Sequence, residues 1–365
     1  AAVLASRGIR VTGVDVNPKT VASINAGQPH IIETDLDMVV HGAVSKGQLS
    51  ARIDSVEADA FIIAVPTPFD ENHKPDLSYL EAATHAIAPV LKKGDLVVVE
   101  STVPIGATQQ VASWLAADRP DLKMPELSNP TAAHDICIAH SPERVLPGRV
   151  LLELVNNDRV IGGLGDDCAE RTASLYAVVV EGEMHLTTAP TAELVKLAEN
   201  AYRDVNIAFA NELANVADPL GINVRDVVRL ANHHPRVNIL SPGPGVGGHC
   251  IAVDPWFIAA TAPERTPLIQ TARHVNDGRP AVIAKQIASL TSVKNGAPIA
   301  CLGLSYKADI DDLRESPSIH VVTELRNLVD NPIIVVEPHT EVLPKSLAAL
   351  ADTRLMPFDE AVAET

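Results

Sequence analysis

The sequence predicts an α/β fold: two doubly wound sheet domains joined by a helical central domain. Three observations predict it. Short apolar runs alternate with helical periods over the first third of the chain, a long helical pattern sets in near residue 191, and a strand–helix–strand pattern returns near residue 297. At 365 residues the chain also exceeds one ordinary core.

The opening "AAVLASRG" reads as the end of a helix stopped by Gly8, and "IRVTGVDVNP" as a buried strand ending at Asp15, with Asn17-Pro18 turning into a helix. "ADAFIIAVPTPF" (58–69) and "GDLVVVESTVP" (94–104) are further buried strands, with a helical pattern around 78–92. Strands alternating with helices imply a parallel sheet, whose ligands bind beyond the carboxyl ends of the strands. Those ends carry Asp15, the "VPTP" turn with Thr67, and Glu100-Ser101-Thr102. Each alone is a turn or a cap; three in succession favour a nucleotide site.

An acid closing such a strand accepts both ribose hydroxyls of an adenosine, which favours NAD over its 2′-phosphorylated relative. No G-x-G-x-x-G precedes Asp15. The expectation is therefore that the chain begins inside the first helix of the domain, without the first strand and the phosphate loop.

From "TAELVKLAENAYRDVNIAFANELANVAD" (191–218) the pattern is helical past 230, with a capped start at Thr191. Apolar residues cover much of its circumference, which marks a buried spine or a dimer interface. A second sheet domain opens at "APIACLGLSYKAD" (297–309) and continues through a helix from Pro317 to the strand "PIIVVEPH" (332–339). The echo of "VTGVDVNP" in "IIVVEPH" suggests a second nucleotide-binding-like half, ending before its sheet is complete.

Hydrophobic residues make up 46% and charged residues 21%, the balance of a soluble globular chain. No apolar run nears the ~20 residues of a membrane span. A formal charge of −17 argues against nucleic acid as the partner, while local cations can still hold a small anion. The four cysteines, at 137, 168, 250 and 301, are scattered without a C-x-x-C pair. Neither disulfides nor a metal site are expected, and the cytoplasm is the expected compartment.

Cysteine is most often a small core hydrophobe, which fits Cys137, Cys168 and Cys301. Cys250 differs. In "GPGVGGHCIAVDPW" (243–256) it follows Gly245, Gly247, Gly248 and His249, with Asp254 four residues on. Glycines permit close approach and unusual backbone angles. A thiolate there can add to an aldehyde, with Asp254 as a base. Lys196 and Asn200, four apart, share one helix face with Arg203 beyond; an ammonium beside an amide suits an oxyanion, and a solvated stripe is the plain alternative. Glu143 stands in the loop "SPERVLPG" (141–148). In "SYKADIDDLRESP" (305–317), Lys307 and Arg314 suit a diphosphate, against an ion-paired loop built on Asp309, Asp311, Asp312 and Glu315.

Together "NILSPGPGVGGHCIAVDPWFI", "NDRVIGG", "SPERVLPG" and "RDVNIAFANEL" resemble the UDP-glucose/GDP-mannose dehydrogenase family over nearly the whole chain. The resemblance implies two Rossmann-like domains joined by a helical dimerisation domain, here 1–188, 189–290 and 291–365. It implies NAD-dependent four-electron oxidation of a nucleotide-sugar C6 alcohol to a carboxylate, through a thiohemiacetal and thioester on Cys250. Asp254 matches the water-activating acid, Lys196 and Asn200 the oxyanion pair, and Thr102 and Glu143 the residues around the catalytic water. Asp15, Thr67, Thr102 and Arg314 match cofactor contacts; Arg236, Asn238, Gly247 and Lys307 match substrate contacts, with Arg236 reaching across a homodimer. Pro147 stands where UDP-glucose enzymes carry a second glutamate, so the implied substrate is a UDP-N-acetylhexosamine, in manno or gluco form. A two-electron dehydrogenase of the 3-hydroxyacid type and a non-catalytic nucleotide-sugar-binding fragment are the rivals.

Overall fold

The computed structural model describes residues 1–29, 35–70, 72–145, 148–248, 250–307 and 312–365. Pro147, His249, Asp309 and Asp311, singled out above, lie outside the described residues. The chain forms two compact units, Ala1–Leu197 and Ala198–Thr365.

The first unit runs α1 (Ala2–Ser6), β1 (Val11–Val14), α2 (Pro18–Asn25), α3 (Leu36–Ser45), β2 (Leu49–Arg52), β3 (Ala60–Ile63), α4 (Ser78–Ile87), β4 (Leu96–Val99), α5 (Ala107–Asp118), β5 (Cys137–His140), α6 (Val150–Asn156), β6 (Arg159–Gly163), α7 (Asp166–Tyr176) and β7 (Met184–Thr188), and closes in the first turns of α8 (Ala189–Ala217). Gly8 ends the first helix at φ +93°, as its position in the sequence implies. Strands β1 and β2 pair in parallel, and β3-β4-β5-β6-β7 form a five-stranded sheet. The "LVVV" of β4 is buried along its whole length, the pattern of a strand covered on both faces. Leu80, Val97, Val99, Val111, Leu115 and Ile138 fill the space between this sheet and the α4/α5 layer.

The sheet departs from the all-parallel expectation at one place. Strands β5 and β6 run antiparallel, pairing Ala139 with Gly163 and His140 with Gly162. Helix α6 lies between these two strands in the chain, and α7 bridges the parallel β6–β7 pair that follows.

Helix α8 starts at Ala189, not at a Thr191 cap. Pro190 sits in its first turn, where a missing N–H costs nothing. The helix also stops sooner than the pattern implies. Pro219 and Gly221, the latter at φ +65°, break it before α9 (Val224–Ala231).

A side chain of α8 secures the neighbouring helix. The N-cap position of α5 is Gly106, which has no side chain to cap with. Instead the buried Glu193 carboxylate accepts from Gly106 N (2.6 Å), Thr108 N (2.8 Å) and Thr108 Oγ1 (2.6 Å). Burial pushes this carboxyl above the usual glutamate range, against the pull of those donors.

The second unit continues α8 through α9, α10 (Asp254–Thr261), α11 (Pro267–Ala288), α12 (Thr291–Lys294), β8 (Ile299–Leu302), α13 (Pro317–Arg326), β9 (Ile333–Val336), α14 (Lys345–Ala348), β10 (Thr353–Leu355) and α15 (Phe358–Glu364). Its parallel sheet has the order β10-β9-β8. Strand β9 is buried throughout and packs with Leu304, Val322, Leu325 and Leu347.

Replacing Glu193 by alanine strips three donors at the start of α5 of their acceptor. A loss of about 1–3 kcal/mol is expected, read as a lower urea midpoint with an unchanged slope.

Candidate functional site

In the second unit the stretch 243–256 is placed from below by a buried polar network. Arg273 Nη1 donates to Asp204 Oδ1 at 2.6 Å, and its Nη2 to Asp277. Asn276 Nδ2 donates to the same Asp204 oxygen at 2.8 Å, and Asn211 Nδ2 donates to Asn276 Oδ1 at 2.9 Å. Asn211 Oδ1 then accepts from Gly243 N (2.9 Å), and Arg279 Nε donates to Gly243 O (3.2 Å). The loop thus leaves the helices from a fixed point. Pro280 lies within α11. A proline has no N–H to give the carbonyl four residues back, and that carbonyl, Asn276 O, is 3.1 Å from where a Cβ on Gly245 would lie.

The glycines ahead of Cys250 admit protein on one side. A Cβ on Gly247 would lie 2.6 Å from Tyr306 Cβ and 2.7 Å from both Glu315 O and Pro317 Cδ. One on Gly248, at φ +84°, would meet the Tyr306 ring at 2.8 Å. Gly248 N donates to Arg314 O at 3.1 Å. The close approach at these glycines is therefore taken up here by Tyr306, Glu315 and Pro317, with the Arg314 carbonyl bonded to Gly248 just ahead of Cys250.

Cys250 is half-buried. Its carbonyl accepts from Val253 N (3.0 Å) and Asp254 N (2.9 Å), a tight turn that leads straight into α10. Asp254 occupies the first position of that helix, where a carboxylate gains from the helix dipole. It is only 3% exposed, and Asn200 Nδ2 donates to its Oδ2 at 2.5 Å. The structure so joins three of the predicted residues, Cys250, Asp254 and Asn200, within one unit. Lys196 lies one turn earlier on α8, half-buried, and forms no ion pair among the described residues.

Other predicted residues are placed more plainly. Arg314 forms a forked pair with Asp312, Nε to Oδ1 at 2.8 Å and Nη2 to Oδ2 at 2.6 Å, with its side chain 64% exposed. Lys307, Arg236 and Asn238 are exposed. The loop bearing Arg236 and Asn238 is bracketed by Asn232, which donates to Ile239 O (2.9 Å) and accepts from Ile239 N (2.7 Å). Glu337, the acid of the second nucleotide-like echo, is spent internally: it accepts from Leu304 N (2.7 Å), Ser305 N and His339 N. Burial pushes its carboxyl up, but those backbone amides outweigh burial and hold it below the ordinary glutamate range.

In the first unit the strand ends carry Asp15, Thr67 and Thr102 as predicted. Asn17 N donates to Asp15 Oδ1 at 2.7 Å. The Thr67 hydroxyl is buried without a hydrogen-bond partner among the described residues. Ser101 Oγ accepts from Val65 N (2.8 Å) and donates to Val65 O (2.7 Å), tying the two strand ends together. A half-exposed carboxylate and an unsatisfied hydroxyl beyond these strand ends fit a dinucleotide such as NAD. Glu143 accepts from Val145 N at 2.7 Å, within its own turn.

Sequence reasoning missed two features near these ends. Arg159 donates to Glu100 Oε1 (3.2 Å) and Ser141 Oγ (3.1 Å) and stacks 4.1 Å over the Tyr176 ring, whose hydroxyl also donates to Glu100 (3.0 Å). The arginine in "NDRVIGG" gave no signal beyond its charge inside an apolar run. His140, next to Ser141, is fully buried with neither ring nitrogen hydrogen-bonded among the described residues. Burial first, and the Lys196 charge as well, push it down to about 3, so it stays neutral. Among the described residues one cluster of metal-ligating types occurs, His134, Cys137, Asp167 and Cys168.

Residues 1–180 match the NAD binding domain of the UDP-glucose/GDP-mannose dehydrogenase family, 190–278 its central domain and 300–365 its UDP binding domain. The chain is 56% identical over 347 residues to an NDP-N-acetyl-D-galactosaminuronic acid dehydrogenase of Ralstonia nicotianae, covering 95% of this chain and 82% of that one. It is 52% identical over 365 residues to a UDP-N-acetyl-D-mannosamine dehydrogenase of Campylobacter jejuni, covering 100% and 89%. Among solved structures, the UDP-D-ManNAc dehydrogenase of Pyrococcus horikoshii superposes with a TM-score of 0.84 at 37% identity, covering 100% of this chain and 89% of that one.

Gly247→Ala presses a Cβ into Tyr306 Cβ and the Glu315 carbonyl and is expected to cost about 1–3 kcal/mol, seen as a lowered Tm. For Glu337, the depressed folded value means its contribution is complete above the ordinary glutamate pKa of about 4.3 and is lost as pH falls through the lowered value. Glu337→Gln should therefore be about 1–3 kcal/mol less stable than wild type at neutral pH, with the difference shrinking in acid denaturation below that range.

Proposed function

The chain belongs to the UDP-glucose/GDP-mannose dehydrogenase family, and from that premise we propose that it oxidises the C6 alcohol of UDP-N-acetyl-D-mannosamine to the uronate. It is an NAD-dependent UDP-sugar dehydrogenase. The observation that carries the chemistry is the buried Asn200–Asp254 hydrogen bond on the turn that follows Cys250. It holds a carboxylate one helical turn from a thiol.

Bound NAD supplies the hydride acceptor for each of the two oxidations. Asp15, Thr67, Thr102 and Arg314 are the residues assigned to hold it. A water held by Asp254 and Thr102 takes the proton of the C6 hydroxyl. The Cys250 thiolate then adds to the aldehyde, forming a C–S bond and a thiohemiacetal, so no free aldehyde need leave. Lys196 and the Asn200 amide stabilise its oxygen as that centre is oxidised to the thioester. Water activated by Asp254 or Glu143 hydrolyses the thioester and returns the thiol. Arg236, Asn238, Gly247 and Lys307 are assigned to the nucleotide sugar.

The manno sugar is supported by the names of several relatives at 51–54% identity and of the neighbouring structures. Relatives named for N-acetyl-D-galactosaminuronic acid, at 55–56%, make a galacto substrate the second reading. We assign 1–188 to cofactor binding, 189–290 to a helical dimerisation domain and 291–365 to the UDP-sugar. The homodimer is supported by Tyr202, Phe209 and Val216, seven residues apart on α8 and exposed despite their size. No helix among the described residues is long and apolar enough to cross a membrane, and four free thiols fit the reducing cytoplasm.

Counting NADH formed per UDP-sugar tests the reading: two are expected, and a ratio of one would establish a two-electron dehydrogenase. UDP-N-acetyl-D-mannosamine should turn over faster than its gluco and galacto epimers. Lys196→Ala should lose roughly 10²–10³ in turnover. Cys250→Ser should stall between the oxidations, and uronate made by Cys250→Ala at near wild-type rate would end the covalent route.

A further inference from the structure

The spacing of the cysteines gave no metal-binding pattern, but the fold brings two of them to one place. Cys137 opens β5, Cys168 lies in the first turn of α7 beside Asp167, and His134 ends the loop before β5. His134 Nε2 is 3.7 Å from Cys137 Sγ, 3.7 Å from Cys168 Sγ and 3.1 Å from Asp167 Oδ2. The four ligand atoms all lie within 4.8 Å of one another. Both thiols and the imidazole are withdrawn from solvent, while Asp167 stands at the mouth with its side chain 60% exposed.

We propose that His134, Cys137, Asp167 and Cys168 form a site for one thiophilic divalent cation of the zinc class, which ties the loop before β5 to the start of α7. The donor set is what such a cation takes: two sulfurs, one imidazole nitrogen and one carboxylate oxygen, four in number as in a closed structural site. The spacings agree as well. Tetrahedral bonds of about 2.3 Å to sulfur and about 2.0–2.1 Å to nitrogen and oxygen set N···S edges of roughly 3.5 Å and N···O edges of roughly 3.3 Å.

The surroundings prepare the donors. His134 Nδ1 lies 2.9 Å from Ala132 O, which accepts its proton and turns Nε2 toward the sulfurs as a bare lone pair. A protonated imidazole has one Nε2 proton for three acceptors, so it satisfies one of them; a cation at the centre serves all. Two thiolates and a carboxylate exceed a divalent cation's charge by one. The Arg171 guanidinium, with Nη1 3.9 Å from Cys137 Sγ, supplies the balance. Binding releases the two thiol protons to solvent, and no oxidation is involved. Gly165 keeps this place tight, since a Cβ there would fall 2.9 Å from Pro130 O and 3.0 Å from Asp167 Oδ1.

The test uses the full chain, purified under reductant, stripped with a chelator and titrated with Zn²⁺ or Co²⁺. One equivalent of Zn²⁺ should bind, and the cobalt form should show thiolate-to-metal charge-transfer bands with the intense visible bands of a tetrahedral site. Cys250→Ala should keep those bands, and Cys137→Ser and Cys168→Ser should lose the charge transfer. Asp167→Ala removes a carboxylate whose side chain is 60% exposed, and should weaken Zn²⁺ by at least the roughly 10–100-fold that loss of an outer-shell partner costs. Cobalt spectra without thiolate charge transfer, Zn²⁺ binding unchanged in Asp167→Ala, or bands that vanish with Cys250 would each overturn the proposal.

Discussion

The second unit depends on one charged pair withdrawn from solvent, Asp204 with Arg273. Burial pushes the Asp204 carboxyl up, and the arginine and Asn276 pull the other way. Removing Arg273 strands the buried Asp204 charge, at a cost of about 3–5 kcal/mol. Its value here is positional. The pair fixes Asn276, Asn276 fixes Asn211, and Asn211 fixes the backbone at Gly243, where the chain leaves the helices for the glycine-rich turn. Hydrophobic contacts alone would allow that loop to slide; directional hydrogen bonds in a low-dielectric interior do not.

The glycines of this turn serve geometry before chemistry. Gly247 and Gly248 lie flat against Tyr306 and Pro317 because any Cβ would collide. Cys250 is thereby presented beside the segment that carries Arg314, with its carbonyl gripping the first amide of α10. The thiol and the Asp254 carboxylate are then held by a turn and a helix start, which change their spacing little. A rigid first turn suits a reaction in which one sulfur stays bonded to carbon through an oxidation until hydrolysis releases it.

Charge is handled differently in the first unit. Glu193 serves as a cap borrowed from another helix, and Glu100 is tied to Arg159 and Tyr176. Both carboxylates are consumed by the scaffold. What stays available at the strand ends is small: the free side of Asp15, the Thr67 hydroxyl and the Thr102 side chain. This division explains why the acidic residues of the chain are poor guides to its chemistry when counted rather than located.

The sequence by itself determined the strands at "VTGV", "AFII", "LVVV" and "IIVV", the long helix, and the singular setting of Cys250. These are local matters: side-chain periodicity, β-branched runs, and glycine and proline punctuation act over a few residues. The antiparallel step between β5 and β6 was illegible, because pairing direction belongs to two segments and neither one encodes it alone. So were the Glu193 cap, the Asp204–Arg273 network and the meeting of Cys137 with Cys168, whose partners lie 31 to 87 residues apart in the chain. Buried polar groups choose partners by proximity in space, and that proximity exists only once the chain has folded.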